Sequence, residues 1–412
     1  MKVKQFVLFQ LKAWLPMIIA IGALVVTSTL IVGLNAEPYI GIKISEGSSY
    51  NYISYRLLYQ LNRNPVSCIA LMMIPSMLAS CVMPFFAYSH RYGKTRADCF
   101  LSLPVKNGKI SQTRILLMGA ILLAFYLTAY LFGSVGAILK QILTVNSAKE
   151  MVEAYSEYVA DFSYITGSFG WYFLAWPLGA VVVMSFYFIN CFLIGQGSNV
   201  LQGIVALIAG HIVLCLLIPV TIYVPGGSNY NSEWMEKVFG YGNAFFDVPA
   251  FYVPMVLIEG TVGTLECNMP SCWEDCIAFL SGTHWSLWLG SISFLLLGGG
   301  ALAWVLLGKD PGGEFAGENR PRNFFATLLP HLAFLTCLLG QGVFMNALFN
   351  NGNGVYFILE ITNFIWTGGL YYVVLSLYNH SFKLDFKNWM MYAGVNVVSL
   401  FALVISASIS GF

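Results

Sequence analysis

Charged side chains are scarce in this sequence: Asp, Glu, Lys and Arg make up 9% of its 412 residues, against about 25% in an ordinary soluble domain. With 58% apolar residues and a mean hydropathy of +0.72, the scarcity excludes a water-soluble globule. Such a chain belongs in a lipid bilayer. A net charge of +1 also leaves no large field to draw in nucleic acid or an acidic substrate, so no nucleic-acid partner is expected.

The motifs of catalysis are missing as well. None of the five histidines (His90, His211, His284, His331, His380) is followed by Glu, which removes the HExxH zinc motif. Neither a G-x-S-x-G nucleophile elbow nor a phosphate loop ending in Gly-Lys-Ser/Thr occurs. The chain is therefore expected not to be an enzyme and to hold no metal or cofactor. If ATP drives it, ATP and Mg²⁺ must be bound by another subunit.

Uncharged stretches of about 18 residues or more are long enough to cross the hydrocarbon core. They fall at 14–34, 66–88, 115–139, 169–194, 204–224, 285–307, 325–349, 355–378 and 389–410, nine candidate spans. An all-α polytopic membrane protein is the expected fold class. The first stretch, Trp14–Leu34, lacks an Ala-x-Ala-like cleavage site and reads as a span rather than a leader. The least marked boundaries are the uncharged break GQGSNVLQG at 195–203 and the NNGNG turn at 350–354.

Lys and Arg are retained on the cytoplasmic side during insertion, which gives a direction. With the N-terminus inside, fourteen basic residues lie on the inner side and six (Lys43, Arg56, Arg63, Lys140, Lys149, Lys237) on the outer side. Acidic residues from Glu150 to Asp275 gather outside. Nine spans would deliver Phe412 to the outer face, an end that points to a longer natural chain or to one span too many.

The longest outer segment, about 225–284, contains the apolar piece Val248–Ile258 between Asp247 and Glu259. As a helix it would cover only about 16 Å, half the hydrocarbon core, so it is expected to dip in or lie flat. The same segment carries Cys267, Cys272 and Cys276 at C-x4-C-x3-C. One disulfide with a spare thiol, three unpaired thiols, or a zinc site short of a fourth ligand all fit that spacing.

Few polar groups enter the spans. Glu360, the only carboxylate well inside one, could relay a proton, contact a cation, pair with Asn363, or simply reach the interface. His211 suits a neutral imidazole hydrogen-bonded to a neighbouring helix. The run Gly298–Gly300 suggests close helix packing.

The segment HRYGKTRADCFLSLPVKNGK, residues 90–109, is the most charged of the inner loops. Thr95 and Asp98 form a capping box, which satisfies free N–H groups at a helix start. Ala97, Phe100 and Leu101 then share one face, Lys94 and Arg96 supply charge, and Ser102 and Leu103 lead to Pro104, which ends the helix. A turn at Lys106–Lys109 is expected to reverse the chain. A short capped amphipathic helix at about 95–103 is suited to entering a groove on a soluble partner.

TRADCFLSLPVKNGKI (95–110) resembles the coupling segment of ABC-2 type permeases, the membrane subunits of an exporter class of ATP-binding-cassette transporters. In that family an LSLPV or HSLPV core precedes a basic turn; Ser102 matches a common Ser or Thr position, and the His of the second form is absent. EFAGEN (314–319) is similar to the E-x-A-G pattern of a bacterial, mostly Gram-positive, subgroup with added C-terminal spans. The resemblance implies a six-helix core over 1–310, a coupling helix at 95–103, a re-entrant element in 225–284 and three further spans over 311–412. It also implies ATPase partner subunits, pairing with itself or a sister permease, and export across the plasma membrane. The weak polar lining of the spans suggests a hydrophobic or amphipathic cargo. An ion-gradient-driven secondary transporter using Glu360 and His211, or a non-transporting sensor or scaffold, are the alternatives.

Overall fold

The computed structural model describes residues 3–35, 40–44, 66–92, 107–154, 162–166, 170–223, 285–308, 324–348, 355–379 and 381–409. Apart from one antiparallel strand pair and short turns they are helical. In chain order the elements are α1 (Val3–Leu34), β1 (Ile40–Ile44), α2 (Val66–Ala87), α3 (Asn107–Ala154), β2 (Phe162–Thr166), α4 (Gly170–Gly195), α5 (Val200–Tyr223), α6 (Trp285–Leu306), α7 (Phe324–Leu348), α8 (Val355–Tyr378) and α9 (Phe386–Ile409). Each expected span coincides with one of these helices. Val7–Leu34, Leu71–Arg91, Gly108–Lys140 and Trp176–Gly195 are long and apolar enough to cross a membrane. Shorter apolar stretches lie in α5, α6, α7 and α8.

Why helices form follows from the solvent. In hydrocarbon every backbone N–H and C=O must find its partner inside the segment, which the helix provides. The outward surfaces agree: Leu24, Leu78, Leu296 and Trp366 are 63–75% exposed, a placement water disfavours and lipid accepts. The chain is a membrane-embedded helical protein.

Four of the helices, α1, α3, α5 and α9, start three or more residues before their apolar runs, α1 and α3 by the most. α1 begins at Val3 rather than at 14 and carries Pro16 within it. α3 begins at Asn107 and runs 48 residues to Ala154, about 72 Å at 1.5 Å per residue and more than twice the hydrocarbon thickness. The expected turn at Lys106–Lys109 is corrected accordingly: Asn107, Gly108 and Lys109 are the first turn of α3. Lys109 still reaches solvent, because a helix start on the water side accommodates the same polar residues as a turn.

The chain divides into two compact units, residues 1–82, 117–187 and 247–285 in the first and 83–116, 188–246 and 286–412 in the second. In the first, α1 crosses α3 so closely that a Cβ on Gly33 would overlap the Gly133 carbonyl oxygen. Thr29, wholly buried on α1, donates to the Val25 carbonyl at 2.7 Å and lies 3.5 Å from the Met72 carbonyl on α2. α3 and α4 exchange two bonds: the Tyr126 hydroxyl donates to the Trp176 carbonyl at 3.0 Å and the Trp176 indole to Leu127 at 3.2 Å. The Tyr126 hydroxyl occupies the space a side chain on Gly179 would need. Beyond the helices, β1 pairs antiparallel with β2, Ile40 opposite Thr166 and Ile44 opposite Phe162. No strand was expected in an all-α chain; both are short and rich in Ile, Phe and Thr, residues that favour extended backbone.

In the second unit α7 packs against α5, α8 and α9, so the helices after residue 310 cluster with α5 and α6. Tyr371, Leu375 and Leu384 form a buried core there, with Phe334 and Tyr392 packed on it. The expectation of close packing at Gly298–Gly300 holds for none but the first position: Gly298 is buried, whereas among the described residues no atom lies within 4 Å of a Cβ placed on Gly299 or Gly300. Glycine permits close approach without compelling it, and no described neighbour has used these two.

Candidate functional site

The cluster of helix ends bracketing residues 93–106 is the candidate site. It begins where α2 stops. The Tyr88 N–H still reaches the Pro84 carbonyl at 2.9 Å, but Arg91 N–H bonds to Tyr88, three residues back, at 2.9 Å. This tightening into a 3-10 turn leaves carbonyls at the end of α2 in need of donors. Arg114, from the second turn of α3, supplies them: its Nε donates to Ala87 at 2.7 Å, and one terminal nitrogen donates to Phe86 at 2.9 Å and to the Ser89 hydroxyl at 2.7 Å. His90 sits between the two helices, Nδ1 3.2 Å from the Ala87 carbonyl and Nε2 3.2 Å from the Ser111 hydroxyl.

Arg91 works on a different helix. Its Nη1 donates to the Gly195 carbonyl, the last residue of α4, at 3.0 Å. The guanidinium carbon stands 4.0 Å from the centroid of the Tyr88 ring, within cation–π range. The Tyr88 hydroxyl returns to α4 by donating to Cys191 at 3.0 Å. Arg91 is 1% exposed and Arg114 3%. Burying a guanidinium costs several kcal/mol, offset here by charge-assisted bonds to carbonyls that already carry the negative end of a helix dipole. Next along the chain, burial pushes the Tyr92 hydroxyl above its usual range, with Arg91 opposing, so it stays protonated.

α3 also holds α6. The Gln112 side-chain amide donates to Leu306 at 3.1 Å. α6 then ends on Gly308 at φ +66°, with its N–H on Val305 at 2.9 Å, a left-handed cap that glycine takes without strain. A Cβ on Gly108 would overlap the Gly308 carbonyl oxygen, so these two backbones meet through glycine on both sides.

The uncharged break at 195–203 is a true helix boundary. Asn199 Oδ1 accepts from the Gln202 N–H at 2.9 Å, and Gln202 Oε1 accepts from the Ser198 N–H at 2.9 Å and hydroxyl at 2.6 Å. This variant of the capping box starts α5 without any charge. The remaining helices follow the same pattern. Phe192 meets Trp304 at 5.3 Å and Phe325 at 6.0 Å; the Tyr378 hydroxyl donates to Ala326 at 2.7 Å; and the Tyr372 hydroxyl donates to Phe382 at 2.6 Å. The ends of α2, α4, α6 and α8 therefore lie with the starts of α3, α5, α7 and α9, as alternating up and down passes require. Arg91, Lys109, Arg114, Lys383 and Lys387 all belong to these ends, the charge bias that the sequence assigned to one side.

The helix expected at 95–103, with Lys94, Thr95, Arg96, Asp98, Phe100, Leu101, Ser102, Leu103 and Pro104, lies outside the described residues. So do Cys267, Cys272 and Cys276, the piece Val248–Ile258, EFAGEN and the NNGNG turn. Glu360 is on α8 as expected. His211 on α5 meets its expected neighbour: Nε2 is 2.7 Å from Asn190 Oδ1 on α4. A double-mutant cycle of His211→Leu and Asn190→Leu, read by thermal unfolding, is expected to give a coupling of about 0.6 kcal/mol and below about 2. Among the described residues no group of three His, Cys, Asp or Glu could hold a metal.

Sequence reading missed Arg91 and Arg114 as structural residues, counting both as loop charges. The signal was their spacing from the apolar runs: each sits within a turn of one, too close to be solvated freely. Comparison with protein-family models, curated proteins and solved structures finds no match.

Proposed function

We propose that this chain is the membrane-spanning permease subunit of an ABC-2 type exporter. In this reading it has nine transmembrane helices, a cytoplasmic N-terminus and a place in the plasma membrane. It pairs with itself or a sister permease and recruits ATPase subunits that bind ATP and Mg²⁺. The observation that carries the reading is the clamp on both flanks of residues 93–106: Arg91 ties the entry to α4 and Arg114 ties the exit to α2. A docking helix at 95–103 strung between those points could not shift without loading α2, α3 and α4, and through Gln112 also α6. Loose topogenic loops need no such clamp.

Closing of the ATPases on ATP would displace that helix, and the spans would follow if the docked helix differs between the two states. Phe100 and Leu101 would pack into the ATPase groove, with Lys94 and Arg96 on its rim. The cargo is hydrophobic or amphipathic, in keeping with apolar helix surfaces. The test is purification of the chain together with its ATPase from native membranes. Phe100→Asp combined with Leu101→Asp should abolish co-purification and uncouple ATP hydrolysis from transport. An unchanged complex with coupled activity contradicts the assignment. Transport that persists without ATP and collapses in Glu360→Gln would establish the ion-gradient alternative instead.

A further inference from the structure

The turn between α8 and α9 is tied down at many points. The Asn379 N–H bonds to Leu375 at 2.9 Å, the Ser381 N–H to Ser376 at 2.9 Å, and the Ser381 hydroxyl donates to Lys383 at 3.0 Å. The Tyr372 hydroxyl holds the Phe382 carbonyl at 2.6 Å. Leu384, 7% exposed, plugs into the core of Tyr371 and Leu375. A turn so fixed could have hidden its other apolar side chains or replaced them with polar ones. Instead Phe382 is 74% exposed, Phe386 81% and Trp389 46%. Two lysines alternate with these rings, Lys383 directly after Phe382 and Lys387 directly after Phe386, both exposed. Asp385 stands at the N-cap position of α9, where a carboxylate serves the helix start.

Exposed rings followed at once by ammonium groups, on a rigid turn at the end of two membrane helices, match the boundary between acyl chains and headgroups. Rings alone would suit any lipid. The paired lysines add a preference for headgroups carrying net negative charge over zwitterionic ones. We propose that the Phe382–Trp389 turn is a binding site for anionic glycerophospholipid, with the phosphate of the headgroup on Lys383 and Lys387 and the acyl chains against Phe382, Phe386 and Trp389. The rigid frame beneath holds the groups in register before lipid arrives, which spares the ordering cost a floppy loop would incur. The site rests on membrane residence and is independent of any ATPase partner.

Brominated acyl chains quench nearby tryptophan, which makes Trp389 the reporter. The full chain is reconstituted in vesicles of phosphatidylcholine with ten mole per cent phosphatidylglycerol, bromine being placed on one lipid or the other at equal total content. Subtracting the Trp389→Phe variant isolates the signal of Trp389. Quenching per brominated lipid should be about fivefold stronger from phosphatidylglycerol, the factor expected of two lysines partly countered by Asp385. It should fall as salt rises. Lys383→Gln with Lys387→Gln should bring the ratio close to one while the helical circular dichroism is unchanged. Phe382→Ser with Phe386→Ser should weaken quenching from both lipids. An equal response to both lipids in the parent chain overturns the proposal, as does a preference that survives loss of both lysines.

Discussion

Arg114→Met is expected to lower the thermal unfolding midpoint of the purified chain by several degrees, with Arg114→Lys recovering only part of the loss. The guanidinium satisfies two carbonyls at the end of α2 and the Ser89 hydroxyl at 2.7–2.9 Å. Hydrogen bonds from charged donors contribute about 1.5–3 kcal/mol each. Methionine fills a similar volume but donates nothing, so the cost is about 3–5 kcal/mol after packing recovers its share. Lysine has the charge without the planar fork and cannot reach three acceptors from one position. Arg91→Met should cost less, since the bond to Gly195 and the contact with Tyr88 are lost where Arg114 serves three acceptors. A midpoint within a degree of the parent for Arg114→Met would show that the end of α2 has no need of this donor.

Gly33→Ala and Gly133→Ala should each destabilise the fold strongly, while Gly299→Ala and Gly300→Ala should leave it unchanged or slightly firmer. At Gly33 the new methyl would collide with a backbone carbonyl, which cannot rotate away as a side chain can. At Gly133 it would stand 2.7 Å from the Met72 sulfur and 3.0 Å from the Thr29 carbonyl. Separating α1 from α3 to make room costs about 1–3 kcal/mol for the overlap itself, and more as contacts along both helices loosen. At Gly299 and Gly300 the added methyl meets no described atom, so the gain in helix propensity is left, roughly 0.5–1 kcal/mol. Unfolding midpoints of the four variants, measured side by side, separate glycines that packing requires from glycines it does not. Equal effects at all four would contradict the crossing of α1 and α3.

The pattern of the helices was legible because their cause is local. A run of about twenty uncharged residues is one helix in a bilayer whatever surrounds it, and α2, α4, α6, α7 and α8 begin and end within about two residues of their runs. α3 was legible in its middle only. Its start depends on where Gly108 and Arg114 meet α6 and α2, which are contacts between segments far apart in the chain, and its extension to Ala154 carries charge that a search for apolar runs discards. The break before α5 was visible as a break, yet its cause, the Asn199–Gln202 box, is a polar signal that hydropathy passes over. Buried arginines were the hardest to foresee. Composition treats each one as solvated, and only the position of the carbonyls at the ends of α2 and α4 shows where such a charge can be housed.

His211 illustrates what a single polar residue in an apolar run does convey. It required an acceptor or donor on a neighbouring helix, and the wholly buried Asn190 answers on α4. Glycine carried less information: Gly33 and Gly133 have no glycine beside them in the chain and pack tightly, whereas the more conspicuous Gly298–Gly300 leaves two positions open.

The measurement that bears most directly on the account is photocross-linking from within residues 93–106. A benzophenone amino acid is placed at Phe100, native membranes are irradiated with and without ATP, and the adducts are identified by mass spectrometry. The account predicts a covalent product joining this chain to a subunit with an ATP-binding cassette, with a yield that changes when ATP is added. Adducts confined to lipid or to the chain itself, with and without ATP, would contradict it.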